Sequence, residues 1–328
     1  SNSSSNSTIT PDAITTLLSA ANNVVLQANN DITVSNAITA NNASGNGGNL
    51  TLRAGRSVLV NANITTDNGN LVLTANDHTS DGVVDAQRDS GAAVITLASG
   101  TTVNTGSGSF TADLRAGTGK TNRTSGDITL SSVTAGSLVV TNSGPTSGSD
   151  IIDNGVLTIA GTSSFTTSVS NATITLDTTT HAFTGAVALN TTGSSANALI
   201  DGGTTALDLS ASSVGGNLTL TSGNASGITD SGTVTVGGNL AATTDANNGV
   251  IDMGTLAVAG TVALATHGTG NATIDNGTAN LDIAASSVGG NLTLTSGNAS
   301  GITDSGTVTV GGNLAATTDA NSGVINMD

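Results

Sequence analysis

The stretch "ASSVGGNLTLTSGNASGITDSGTVTVGGNLAATTDAN" runs from Ala211 to Asn247 and recurs letter for letter from Ala285 to Asn321. An exact duplication on this scale restricts the fold sharply. A pocket needs one set of unlike groups and gains little from a second identical set. A segment that stacks on itself, by contrast, lengthens the stack each time it is copied. The offset of about 74 residues is too long for one supersecondary unit, so a shorter period must lie inside it. A small or polar corner followed by a large apolar residue supplies that period. It occurs as "GGNL" at Leu50, "GNL" at Leu71, "GSF" at Phe110, "GSL" at Leu138 and "SSF" at Phe165. It continues as "GAV" at Val187, "GNL" at Leu218 and Leu240, "GTV" at Val262, and "GNL" at Leu292 and Leu314. Over the second half the steps alternate between roughly 22 and roughly 30 residues, and three of them make the longer period.

Short alternating strands precede most corners: Leu157–Ile159, Leu207–Leu209, Val234–Val236, Leu256–Val258 and Leu281–Ile283. Alternation over three to five residues sends aliphatic side chains inward and Thr, Ser or Asp outward. A strand this short gains a partner by lying on its equivalent in the next coil. The reading is an all-β, right-handed parallel β-helix (solenoid) of about a dozen coils. Residues 1–24 form a partly irregular lead-in, and residues 25–328 the β-helix, with an excursion near 76–91 and the duplicated segments 211–247 and 285–321. Gly-Gly-Asn corners suit sharp bends, because Gly and Asn tolerate positive φ. The longer "SASSVGG" corner, Ser210–Gly216, is expected to bulge outward.

Composition supports this reading. The chain has 328 residues, 43 Gly, no Cys, no Trp, no Tyr and no Glu. Asn, Asp, Ser, Thr and Gly compete for backbone hydrogen bonds or favour turns, so helix is disfavoured almost throughout. A net charge of −16 with six basic residues excludes nucleic acid as a partner, since phosphate contacts need Lys and Arg. All six (Arg53, Arg56, Arg88, Arg115, Lys120 and Arg123) fall in the first 123 positions. No apolar run is long enough to span a bilayer as a helix. The start, "SNSSSNST", has no signal-peptide pattern, and "GVINMD" at the end matches the opening of another coil, so a segment of a longer rod is expected.

The stretch Leu26–Asp77 carries "L-x-A-x-x-D-I-x-V", then "GNLTL-x-A-G" and "ITT-x-x-GNL-x-L". This pattern resembles filamentous-haemagglutinin-like exoproteins of the two-partner-secretion class. The later "VGGNLTLTSG" and "GTVTVGGNL" coils resemble repeats of large biofilm and attachment adhesins of that class. The resemblance implies a secreted or cell-surface protein of a Gram-negative bacterium, passed through an outer-membrane transporter and folding as it emerges. It implies a structural rod acting in attachment, cell–cell aggregation or biofilm-matrix cohesion, with exopolysaccharide as a candidate ligand. A passive stalk for a distal toxin or receptor-binding tip is the alternative, and a carbohydrate-active enzyme the third reading.

No catalytic, cofactor-binding or metal-binding residue is assigned from the sequence, no cofactor is expected, and the protein is not read as an enzyme. Asp153, Asp177, Asp201, Asp230, Asp252, Asp275 and Asp304 recur with the coils, which points to turns and corners rather than an acid–base pair. The excursion Asn76–Gly91 gathers Asp77, Asp81, Asp85 and Asp89 beside His78. Calcium is the one metal such a loop could bind, but its spacing is not that of a calcium loop, and a solvated excursion is expected. His181 and His267 have no neighbouring His or Cys, so they do not suggest zinc. Asn-x-Ser/Thr triplets at Asn63, Asn171, Asn217 and Asn291 carry no commitment on glycosylation.

Overall fold

The computed structural model describes residues 6–327, so the first five residues of the lead-in and Asp328 lie outside the described residues. The chain is an all-β parallel β-solenoid of about 13 turns. It divides into two compact units, Ser1–Val169 and Ser170–Asp328.

In unit 1 each coil contributes one strand to each of three parallel columns. The first contains Val24–Ala28, Leu50–Ala54, Leu71–Ala75, Ser109–Leu114, Ser137–Asn142 and Ser163–Thr167. The second runs from Ile32–Val34 to Ile151–Asp153, and the third from Ile38–Thr39 to Leu157–Ile159. Register places like on like: Leu50 lies on Leu71, Leu71 on Phe110 and Phe110 on Leu138, all fully buried. The period of two along each strand is what turns these residues inward. Phe165 departs from the sequence reading. Ser163 occupies the position above Leu138, and Phe165 lies two residues on, above Val140, so it still points inward.

The lead-in is more ordered than its composition suggests. Pro11–Ser19 is an α-helix with Pro in its first turn, Asp12 beside it, and Ile14 and Leu18 buried. Thr-Pro-Asp is a helix-start sequence: proline at the first position loses no hydrogen bond, and the carboxylate faces the positive end of the helix dipole. The Leu18 carbonyl accepts from Gly48 N–H at 2.8 Å, which ties the helix to the second coil.

In unit 2 the coil length is uniform. Pairing connects Ile174 to Ala198, Ala198 to Leu218, and Leu218 to Leu240, steps of 20–24 residues. The expected alternation of short and long steps is therefore wrong. Its anchors lie on two different walls: Leu218, Leu240 and Val262 stack on one another, whereas Leu292 stacks on Ala272 and Leu314. Counting from Val262 to Leu292 crosses from one wall to the other.

The duplication is consequently not a whole number of coils, and its copies enter the stack in different orientations. In the first copy, Leu218–Ser222 pairs with Ala198–Asp201 and Leu240–Asn247 on one wall, and Ile228–Asp230 lies on the other. In the second copy, Leu292–Ser296 lies on that other wall, and Ile302–Asp304 on the first.

The "SASSV" corner does not bulge. Ser212–Val214 is a strand of its own that pairs with Val234–Val236. Above the continuous strand Val187–Asn190 the next coil splits into Leu207–Leu209 and Ser212–Val214. The buried Ser212 hydroxyl bridges the split, accepting from Leu189 N–H at 3.0 Å and donating to Ser210 O at 2.8 Å. Ser286 repeats both contacts with Leu264 N–H and Ala284 O.

The Gly-Gly-Asn corners also depart from expectation, because Gly237, Gly238 and Asn239 do not have positive φ. The requirement is close approach. A Cβ on Gly237 would lie 2.4 Å from Gly215 O, and one on Gly238 2.8 Å from the Gly216 carbonyl carbon. The asparagines form a ladder in which each side-chain carbonyl accepts the backbone N–H one coil on. Asn197 accepts from Asn217 (2.8 Å), Asn217 from Asn239 (2.9 Å) and Asn239 from Thr261 (2.9 Å). Unit 1 repeats this through Asn23, Asn49 and Asn70.

Candidate functional site

The densest polar chemistry lies in unit 1, where the 76–91 excursion leaves the end of strand Leu71–Ala75. Asn76 makes the exit with φ +52°, a left-handed conformation that asparagine adopts more readily than most residues. The expected solvated loop packs down instead. Asn76 and Asp77 are completely buried, and Arg88 nearly so. The Asp77 carboxylate is held from two sides, by Arg53 Nη2 at 2.9 Å and Arg115 Nη1 at 2.8 Å. Arg115 also binds Asp81 (2.9 Å) and Asp113 (2.8 Å). A buried carboxylate without such partners would cost several kcal/mol, on the order of 3–5 kcal/mol when a pair is broken.

A second group of cations holds the loop by its backbone. Arg88 donates to the carbonyls of Gly55, Asp89, Gly91 and Thr124. Lys120, also buried, enters from the segment 115–124 and donates to Gly55 O at 2.6 Å and Asn76 Oδ1 at 2.8 Å. Burial, reinforced by the positive charge of Arg88, lowers the Lys120 pKa to about 8, against the opposing pull of Asp77 and Asp85. Hydrogen bonds from the Thr121 hydroxyl and amide hold the Asp85 carboxyl below the usual range. The confinement of basic residues to the first 123 positions thus has a structural reason: Arg53, Arg56, Arg88, Arg115 and Lys120 all fasten this loop or the coils beneath it.

The acidic residues considered for calcium are occupied. Asp77 and Asp81 bind arginines, Asp85 binds Thr121, Asp89 accepts from Asn30 Nδ2, and Asp77 Oδ1 also accepts the His78 backbone N–H. Among the described residues, no group of three or more His, Cys, Asp or Glu is arranged to hold a metal ion.

The periodic aspartates take corner roles at three positions. Asp201 accepts from Gly203 N–H and Asp275 from Gly277 N–H, each closing its own turn. Asp230 reaches the next coil, accepting from Gly254 N–H and Thr255 N–H. Asp252 is exposed in Ile251–Met253; Asp177 is exposed, and Asp153 and Asp304 are half-buried. His181 is buried with its ring centroid 5.4 Å from that of Phe183, and His267 Nδ1–H donates to Thr244 O. The side-chain carbonyls of Asn63, Asn171, Asn217 and Asn291 all accept backbone N–H groups.

A family model described as repeats of unknown function (DUF5649) matches residues 116–190, 195–253 and 269–328, together more than half of the chain. The chain belongs to this repeat family. The second and third DUF5649 matches begin at residues 195 and 269, the same separation as that between Ala211 and Ala285, so the family repeat and the exact duplication share one spacing. No curated protein and no solved structure matches the chain.

Proposed function

We propose that the chain is the structural shaft of a large secreted bacterial adhesin, acting in attachment, cell–cell aggregation or biofilm-matrix cohesion. One observation carries this reading: key residues of the duplication are those that join coil to coil. Gly237 and Gly311 allow the close approach, Asn217 and Asn291 continue the ladder, and Ser212 and Ser286 bridge the split. Duplication has therefore multiplied scaffold. The resemblance of Leu26–Asp77 to filamentous-haemagglutinin-like exoproteins supports export through an outer-membrane two-partner-secretion transporter to a Gram-negative cell surface. Outward rows of Thr, Asn and Ser offer many weak hydrogen-bonding positions, and repetition raises the avidity of each; exopolysaccharide is the ligand class this chemistry suits.

The test is binding of the purified chain to a panel of bacterial exopolysaccharides, with aggregation of producing cells as a second readout. Saturable binding that promotes aggregation is the expected result. Absence of both would replace the adhesive shaft with a passive stalk.

A further inference from the structure

The geometry points to an intramolecular isopeptide bond between Lys120 Nζ and Asn76 Cγ, a covalent clasp closing the excursion onto the segment 115–124. Lys120 is the only lysine in the chain, and it is buried against the side chain of a fully buried asparagine. Nζ lies 2.8 Å from Asn76 Oδ1, and the amide carbon is one C=O bond, about 1.2 Å, beyond that oxygen. A small rotation therefore brings the amine to the near-attack range of about 3–3.5 Å. The amide is held for this approach: Nδ2 donates to Arg115 O at 2.8 Å and Arg123 O at 3.1 Å. Gly117, at φ +62°, passes directly over the site, where a Cβ would lie 2.7 Å from Asn76 Oδ1.

The reaction needs a neutral amine and a group to move protons. Burial supplies the first by lowering the Lys120 pKa to about 8, with Arg88 adding to the effect and Asp77 and Asp85 opposing it. Asp85 suits the second role. One of its oxygens is held by the Thr121 amide and hydroxyl, on the residue next to Lys120, and the other, Oδ1, is buried with no hydrogen-bond partner. The lone pair of the neutral Nζ attacks Asn76 Cγ. A side-chain shift that brings Asp85 Oδ1 to Nζ lets one Nζ proton pass through the carboxylate to Nδ2, the Cγ–Nδ2 bond breaks, and one ammonia leaves. No oxidant or reductant is required, and the product retains one N–H for the carbonyls that held the amide. Arg88 and the Arg53–Asp77–Arg115 group fix the surroundings, so little more than that rotation separates the amine from the amide carbon.

The full chain is the material for the test. Intact-mass measurement after incubation of the folded protein above pH 8 should show a mass lower than the sequence mass by one ammonia. Formation should be slower at pH 6, where the amine is protonated. Cleavage at arginine should yield one linked species joining residues 57–88 to residues 116–123. An amine-reactive label applied in denaturant should mark the N-terminus and leave Lys120 unmodified. Lys120→Arg should retain the full sequence mass while circular dichroism shows the same β content. A wild-type chain that keeps its full mass, and whose Lys120 takes the label in denaturant, overturns the bond and leaves a hydrogen-bonded clasp.

Discussion

At the residue scale, the glycines of the Gly-Gly-Asn corners act through contact distance. Gly238→Ala should force the corner away from the coil below and lower stability by about 1–3 kcal/mol, the usual cost of overpacking. Gly254 is the internal control. A Cβ there meets nothing within 4 Å, and its φ is not positive, so Gly254→Ala should be neutral or stabilising by about 0.4–1 kcal/mol. Chemical denaturation of the two variants compares them directly; equal effects would contradict the close-approach account. The sequence marks Gly237 and Gly238 as a corner. It cannot separate a glycine needed for left-handed backbone from one needed to admit a neighbouring chain, because both demands select the same residue. The asparagine ladder is hidden similarly: "GNL" shows an asparagine at each corner, but its hydrogen bond goes to a residue about one coil away.

At the element scale, the split strand is the least legible part of the fold. Ser210, Ser212 and Ser213 crowd into four positions around Ala211, and no pattern in the letters distinguishes the buried hydroxyl of Ser212 from the exposed one of Ser213. Ser212→Ala removes the acceptor of the Leu189 N–H in a buried setting and should cost about 1–3 kcal/mol. Ser213→Ala, on the exposed side of the same strand, should change stability by less than about 0.5 kcal/mol. Thermal or denaturant midpoints of both variants would check the contrast. The excursion is legible only as an interruption. Its four aspartates read as a solvated loop because their partners, Arg53, Arg115 and Thr121 among them, are distant in sequence and become neighbours only when the coils stack. Lys120 and Asn76, 44 residues apart, escape sequence reading for the same reason.

At the scale of the whole molecule, periodicity is the strongest signal, and the parallel solenoid is readable from it. Coil length is not, because anchors that look alike in the sequence sit on two walls. The register makes a direct prediction about deletion. Removing residues 211–284 joins Ser210 to Ala285 and places Ser210 where Ala284 stands in the second copy. Ser210 already provides the same carbonyl contact for Ser212 that Ala284 provides for Ser286. The shortened chain should fold, keep its β signal per residue in circular dichroism and unfold cooperatively. Because residues 285–321 repeat 211–247, the retained copy takes the place of the first, and an unfolded or aggregated product would show that the coils up to Asn247 depend on those that follow them.

The wall exchange between the copies has one more consequence. Thr219 and Thr293 are the same residue of the same motif, yet they lie in different sheets of unit 2. Copying the gene segment therefore turns its compass bearing as well as adding storeys. A partner that reads this set of side chains can approach from a second direction, with no new letter written in the sequence.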